Sequence, residues 1–217
     1  MDFSFLSKYY MFFLNGAKYT LLLAFFTVIF GVVLGIVLAL MRISKNKLLN
    51  LIGSAYVEFI RGTPVLVQVY LIYYTLPSLI GMNLPDVVSG IIALSINSGA
   101  YVAEIIRAGI QAVDKGQMEA SRSLGMKHSS AMRYIIIPQA IKNILPALGN
   151  EFIVVIKESS IVSVIGIHEL MYNADTVRGN TFRALEPLLI AALMYFVMTY
   201  TLSRFMRAFE RRMKNSD

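Results

Sequence analysis

Long runs of apolar residues, separated by short polar segments, dominate the pattern of this chain. The first run, Leu21–Met41, contains no charged residue, and as a helix it is roughly 31 Å long, which matches the hydrocarbon thickness of a bilayer. Four later runs follow the same pattern, so the sequence predicts five transmembrane helices. We place them at about residues 17–41, 48–76, 87–107, 141–165 and 187–207.

Two of the predicted spans contain polar interruptions. The second is broken at Arg61–Pro64 and the fourth at Lys157–Ser160. Because proline lacks an amide donor and perturbs the turn before it, the backbone near Thr63 can open polar groups toward a cavity. Transporters often bind their substrates at broken helices. The breaks therefore indicate where a solute could be held.

Composition supports a membrane protein. Hydrophobic residues make up 57% of the chain and charged residues 15%, which exceeds the apolar share that a soluble globule can bury. The chain has no cysteine, which excludes disulfides, thiolate metal sites and cysteine nucleophiles. It also lacks a phosphate-binding loop of the Gly-x-x-x-x-Gly-Lys-Ser/Thr type. We therefore expect an all-α integral membrane protein that is not an enzyme and has no metal or cofactor of its own.

Lysine and arginine are distributed unevenly among the predicted loops. Positive residues resist translocation, so the loops that hold most of them face the cytoplasm. Fourteen lie on one side, namely Arg42, Lys45, Lys47, Arg107, Lys115, Arg122, Lys127, Arg133, Lys142, Arg204, Arg207, Arg211, Arg212 and Lys214. Four lie on the other side, namely Lys8, Lys18, Arg178 and Arg183. This predicts an N-terminus outside and a C-terminus in the cytoplasm, and it favours anionic lipid over nucleic acid as the partner of the positive charge.

The polar segment between the third and fourth spans carries a short helical pattern. Residues 117–124 are good helix formers, with Glu119 early in the helix, where the dipole favours an anion, and Gly125 suits a left-handed C-terminal position. We predict a helix of about two turns that lies parallel to the membrane. A helix this short needs outside contacts. These come either from a soluble partner or from the chain's own bundle, and the pattern is compatible with both.

This segment resembles the EAA loop of ABC importer permeases, in which a short coupling helix docks into a cleft of an ATPase subunit. The resemblance rests on Glu119-Ala120-Ser121, Gly125 and Ile144-Leu145-Pro146, with Ser121 where the family has alanine. It implies that the loop of about residues 114–139 couples to an ATPase. The coupling residues it implies are Gln117, Glu119, Ala120, Ser121, Arg122, Leu124 and Gly125.

Other motifs resemble one branch of these permeases, the polar amino acid importers of the histidine, glutamine and arginine type. They are Asn15-Gly16-Ala17 with Thr20-Leu21, Arg61-Gly62-Thr63-Pro64 with Gln68 and Tyr73-Tyr74, Ala100–Ile105 with Arg107, Gly116-Gln117, and Lys157–Ser160. Their order and spacing make the resemblance specific. It implies the type I ABC importer permease fold, with residues 1–217 forming one transmembrane domain in a bacterial-type inner membrane.

The resemblance also implies a set of partners. Two ATPase subunits bind Mg-ATP and drive transport, and a second permease subunit, either a copy of this chain or a homologue, completes the pathway. An extracytoplasmic binding protein delivers the amino acid. The chain alone should transport nothing.

The residues themselves indicate a possible amino acid site, because ionisable groups within a span are costly and mark a pathway or a pair. Counting along straight spans places Arg61, Asn97 and Glu158 at comparable depths. Arg61 and Thr63 could bind a carboxylate, and Glu158, aided by Asn97, an ammonium or a cationic side chain. An acidic residue in this layer favours a cationic substrate such as arginine, lysine or histidine. The full candidate set is Arg61, Thr63, Asn97, Ser98, Tyr101 and Glu158.

Each of these residues has a structural alternative. Asn97, Tyr101 and Glu104 share one face of the third span, either as a polar stripe along the pathway or as contacts between helices, and Glu104 can pair with Arg107. Arg61 can likewise pair with Glu58. A passive channel would need the same spans but not the cytoplasmic loop, and an intramembrane enzyme would need a nucleophile or metal motif that the sequence lacks.

The first span carries a row of small residues, Gly31, Gly35 and Ala39, each four positions apart. Small residues at this spacing allow two helices to approach closely. The row therefore predicts close helix packing within the chain or at a subunit interface.

Overall fold

Helices form the fold, and no strand lies among residues 1–214, the part of the chain that the computed structural model describes. The predicted all-α class is confirmed. One of the fourteen lysine and arginine residues predicted on the cytoplasmic side is Lys214, whose side chain lies outside the described part of the chain.

The helices are defined as follows, in chain order. They are α1 (Leu6–Ile43), α2 (Lys47–Arg61), α3 (Val65–Ile80), α4 (Asp86–Gln111), α5 (Lys115–Ser123), α6 (His128–Ala131), α7 (Ile137–Glu158), α8 (Leu170–Thr181) and α9 (Glu186–Lys214). A π-helical segment, Met132–Ile136, joins α6 to α7, and a 3-10 segment, Ser159–Ile165, follows α7.

Three of these helices, α1, α4 and α9, are long and apolar enough to cross a bilayer. Helices α2 and α3 are long and apolar enough to cross a bilayer only when taken together, and at the break between them they meet at an angle of 107°. This break coincides with the predicted interruption at Arg61–Pro64. Within the described residues, helix α7 is not among the helices apolar enough to cross a bilayer, and it carries four charged side chains, Lys142, Glu151, Lys157 and Glu158.

Several helices extend beyond the predicted spans. Helix α1 has 38 residues, because an apolar segment before residue 17 continues it, and Phe13 packs there against Leu170 and Val177 of α8. Helix α8 was not predicted from the sequence. Its apolar side is only a narrow stripe with helical spacing, and the rest of the helix is polar.

A buried glutamate joins three helices at the N-terminal end of the bundle. Glu169 is fully buried and caps α8, because its carboxylate accepts a hydrogen bond from the Tyr172 N–H at 2.7 Å. It also accepts hydrogen bonds from the hydroxyls of Tyr195 in α9 at 2.6 Å and Thr20 in α1 at 3.4 Å. These bonds satisfy a buried polar group that would otherwise be costly.

Helix α4 is the centre of the bundle and packs most closely against α1. The predicted row of small residues lies in this contact, so it serves packing within the chain. A Cβ atom built on Gly31 would lie 3.0 Å from the Cβ of Ser98, and one built on Gly35 would lie 2.5 Å from the Cγ1 of Val102. The two backbones therefore approach as closely as side chains allow.

We predict that Gly35→Ala destabilises the chain by about 1–3 kcal/mol, because the added methyl group also meets the Gly99 carbonyl at 3.0 Å and forces the backbones apart. Thermal unfolding of the purified chain in detergent measures this. Gly179→Ala in α8 is the matched control, since a Cβ there meets nothing within 4 Å. Equal melting temperatures for the two variants would contradict the packing described here.

Candidate functional site

Helix α5 is bounded by two sequence signals. At its start, the carboxylate of Asp114 accepts a hydrogen bond from the Gly116 N–H at 2.7 Å. At its end, Gly125 has a φ of 84°, a left-handed conformation that glycine adopts without strain. The Met126 N–H then donates to the Ser121 carbonyl at 3.1 Å, which satisfies a terminal carbonyl. The predicted short helix with its end at Gly125 is confirmed.

Helix α5 and the residue after it present most of their side chains to the outside. Leu124 is 84% exposed, whereas Ser121 is buried and its hydroxyl donates to the Gln117 carbonyl at 2.6 Å. The exposed members of the implied coupling set are Gln117, Glu119, Ala120, Arg122, Leu124 and Gly125. Among the large apolar residues of this segment, Met118 and Met126 are half-buried and Leu124 is exposed, so the bundle covers only one side of it.

Contacts from the following segment hold α5 in place. The side-chain amide of Gln139 in α7 donates to the Gln117 side-chain oxygen at 3.4 Å and to the Ile135 carbonyl at 2.9 Å. Helix α5 also packs against the π-helical segment. It is therefore supported on one side and free on the other.

The break between α2 and α3 is closed by one buried glutamine. The Gln68 side-chain amide donates to the Ile60 carbonyl at 2.7 Å and to the Thr63 hydroxyl at 2.9 Å. The Thr63 hydroxyl in turn donates to the Phe59 carbonyl at 3.0 Å. These bonds satisfy carbonyl groups that lose their helical partners at the break.

Gln68 also connects the break to α4. Its side-chain oxygen accepts a hydrogen bond from the Asn97 amide at 2.9 Å, and both side chains are 5% exposed. The structure thus brings two predicted site residues, Thr63 and Asn97, to either side of Gln68. In the sequence, Gln68 stands out only as part of a family motif, because its spacing alone does not reveal its role.

Arg61 does not pair with Glu58, so this predicted alternative is wrong. Its guanidinium lies 3.8 Å from a Glu104 carboxylate oxygen and 5.4 Å from the centre of the Tyr101 ring. Glu104 also forms the predicted ion pair with Arg107. Tyr101 and Glu104 therefore contribute contacts between helices.

The predicted common depth of Arg61, Asn97 and Glu158 is also wrong. Arg61 contacts residues four and seven positions after Asn97 in α4, about 6 to 10 Å nearer the end of the bundle that holds α5. The prediction counted residues along α2 as if this helix ran along the membrane normal, whereas its last residue, Arg61, lies beside Tyr101 and Glu104 of α4. Depth therefore depends on how α2 packs against α4, which residue number does not give.

A second buried acid lies where α4 meets α7. The hydroxyl of Ser98 donates to the carboxylate of Glu151 at 2.8 Å, and Glu151 is only 7% exposed. Glu151 is not among the predicted site residues, although an acidic residue within an apolar run is a usable signal. Ser98 is one of the predicted site residues. We therefore include its partner Glu151 in the candidate site.

Glu158 lies two helical turns beyond Glu151 on the same side of α7, about 10 Å away along the axis. It is half-buried. Among the side chains that the structure describes, none forms a hydrogen bond or ion pair with its carboxylate. Glu151 and Glu158 therefore form an acidic face on α7, next to the start of the 3-10 segment.

The structure is thus an all-helical bundle with a bent helix pair and an exposed short helix. The chain belongs to the family described as binding-protein-dependent transport system inner membrane components, whose model matches residues 31–215. The predicted importer permease is thereby confirmed.

Curated relatives match over nearly the full chain. The arginine transport system permease protein ArtQ of Bacillus subtilis is 42% identical over 100% of this chain and 99% of its own length. The putative glutamine transport system permease protein GlnP of Rickettsia bellii is 43% identical over 94% of this chain and 93% of its own length. These names confirm the predicted branch of the family.

Solved structures share the fold. A chain described as an amino acid ABC transporter with histidines has a TM-score of 0.93 and 57% identity, covering 98% of this chain and 99% of its own. A chain of the MetNI methionine ABC transporter in inward-facing conformations has a TM-score of 0.80 at 18% identity, covering 98% and 99% respectively. The second comparison supports the fold alone.

Proposed function

We propose that this chain forms the membrane pathway of an ATP-driven importer for a polar, cationic amino acid and is coupled to separate ATPase subunits through α5. The names of its relatives support an amino acid as the substrate. The exposed helix α5 is the observation that carries the coupling to a soluble partner.

The proposed topology has five spans, with α2 and α3 together forming the second and α7 the fourth. The N-terminus lies outside and α5 lies in the cytoplasm, since the loops near α5 hold most of the lysine and arginine. A second permease subunit, a copy or a homologue, completes the pathway. An extracytoplasmic binding protein delivers the amino acid.

Coupling requires a rigid connection between α5 and the pathway. Helix α4 ends at Gln111 and α5 begins at Lys115, so only three residues separate them. Helix α4 carries Asn97 and Ser98, which contact the break and the acidic face. When an ATPase cleft moves α5, we expect α4 to move with it, together with the helices that it contacts.

We predict that Leu124→Ser weakens binding of the ATPase subunit by at least tenfold, because an 84% exposed leucine is the apolar group that such a cleft would bury. Titration of the purified ATPase onto the permease in nanodiscs measures this affinity. Leu79→Ser is the control, since Leu79 is 76% exposed near the opposite end of the bundle. An unchanged affinity for Leu124→Ser would contradict docking through Leu124, whereas no measurable ATPase binding to the unmodified chain would favour a passive channel.

The amino acid site that we propose uses the acidic face of α7 together with α4. Glu158 and Glu151 supply negative charge for a cationic side chain or the α-ammonium group, and Ser98 contacts Glu151 directly. Asn97 precedes Ser98 on α4 and supplies a polar group toward the break, where it bonds to Gln68. Thr63 lies at the edge of this layer through its bond to Gln68. Arg61 and Tyr101 lie one to two turns nearer α5, so we leave them out of the site.

We predict that Glu158→Gln raises the arginine concentration needed for half-maximal ATPase stimulation by about tenfold, because a charge-assisted contact becomes a neutral one. Stimulation by glutamine should change less. The assay uses the complete importer with its binding protein in proteoliposomes. Glu58→Gln is the control, as Glu58 is exposed on α2. If Glu158→Gln leaves stimulation by arginine unchanged, Glu158 does not belong to the site.

A further inference from the structure

One carboxylate lies among three guanidinium groups at the end of the bundle that holds α5. Glu104 accepts a hydrogen bond from Arg42 of α1 at 2.5 Å and forms a two-point contact with Arg107 of α4. The guanidinium of Arg61 in α2 lies 3.8 Å from the same carboxylate. These four residues, which we name the arginine cluster, carry three positive charges and one negative charge.

The carboxylate of Glu104 cannot satisfy all three arginines. One of its oxygens already accepts from Arg107 at 3.1 Å and from Arg42, and the other accepts from Arg107. Within the described residues, the guanidinium of Arg61 has no hydrogen bond, and the Nε of Arg42 is buried without an acceptor. A buried donor without an acceptor is costly and indicates that a partner is missing.

No other acid of the described chain forms an ion pair with these arginines. Glu58 is the acid nearest to Arg61 in sequence, and it is exposed without an ion pair. The side chains of Arg42 and Arg107 are only 13% and 28% exposed. Two unbalanced positive charges in a partly dry site favour the binding of an anion.

The position of the cluster indicates which anion it binds. Arg42 lies in the last turn of α1, and Lys45 and Lys47 follow it directly. Leu40 and Phe59 each stand two positions before a cluster arginine, so they lie on the opposite, outward faces of α1 and α2, where they are 59% and 64% exposed. A basic cluster between helices whose outward faces are apolar suits a molecule with an anionic head and a hydrocarbon tail, which a soluble anion lacks.

We propose that the arginine cluster binds the headgroup phosphate of an anionic phospholipid from the cytoplasmic leaflet. Basic pockets between transmembrane helices on the cytoplasmic side are suited to such headgroups. The proposal relies on the proposed topology and is independent of the substrate and of coupling through α5. A bound lipid would reduce the excess charge and hold α1, α2 and α4 together beside the break.

Competitive lipid binding to the purified full chain tests this proposal. The chain is incubated with equal amounts of phosphatidylglycerol and phosphatidylcholine of the same acyl chains, and the retained lipids are counted by native mass spectrometry. We expect retained phosphatidylglycerol to exceed phosphatidylcholine. Arg61→Gln should reduce this preference about fivefold, since each arginine near an anionic headgroup contributes on the order of a factor of five.

Arg133→Gln is the matched control, because Arg133 is another arginine near α5 that packs over an aromatic ring, at 5.6 Å from the Tyr134 ring centre, outside the cluster. Arg61→Lys should keep part of the preference, since it keeps the charge. Equal lipid preference in Arg61→Gln and the unmodified chain would overturn the proposal. An equal loss of lipid preference in Arg133→Gln would also overturn it, because the preference would then come from general surface charge.

A second measurement distinguishes a lipid from a free anion and does not depend on retention. We expect phosphatidylglycerol in mixed micelles to raise the melting temperature of the unmodified chain by several degrees, but not that of Arg61→Gln. Inorganic phosphate at the same concentration should leave both unchanged. If phosphate stabilises the chain and phosphatidylglycerol does not, the cluster binds a soluble anion and the lipid proposal is wrong.

Discussion

A backbone carbonyl that loses its helical partner inside a bilayer must find a donor within the protein, because lipid offers none. At the break between α2 and α3, Gln68 supplies that donor to Ile60 and Thr63. The same side chain accepts from Asn97, so closing the break also fixes its position against α4. The bend of 107° is stable for this reason, and the direction of α3 follows from it.

Helix α4 connects the parts of the molecule that the proposed function requires. It packs against α1 through Gly31 and Gly35, contacts the break through Asn97, and bonds to α7 through Ser98. Only three residues separate the end of α4 from the start of α5. A bundle organised around one helix can move as a unit, so a force applied at α5 would reach the polar groups of α4 and the acidic face of α7.

The sequence predicted the features that local chemistry determines. The position of the break, the short helix ending at Gly125 and the close packing of the glycine row are all present. The predictions that failed concern features that depend on how helices pack against each other. The depth of Arg61 depends on how α2 packs against α4, which residue number does not give. The role of Gln68 depends on contacts with two other helices. Helix α8 was missed because its narrow apolar stripe gives a weak signal.

The account depends most on α5 as the element that transmits ATP-driven movement to the bundle. The direct measurement is accumulation of radiolabelled arginine against its gradient by the complete importer in proteoliposomes, with the order of residues 117–124 scrambled and Gly125 retained. The account predicts that accumulation is lost while the permease still folds and inserts, as judged by its unchanged melting temperature. Accumulation at the unmodified rate would contradict it.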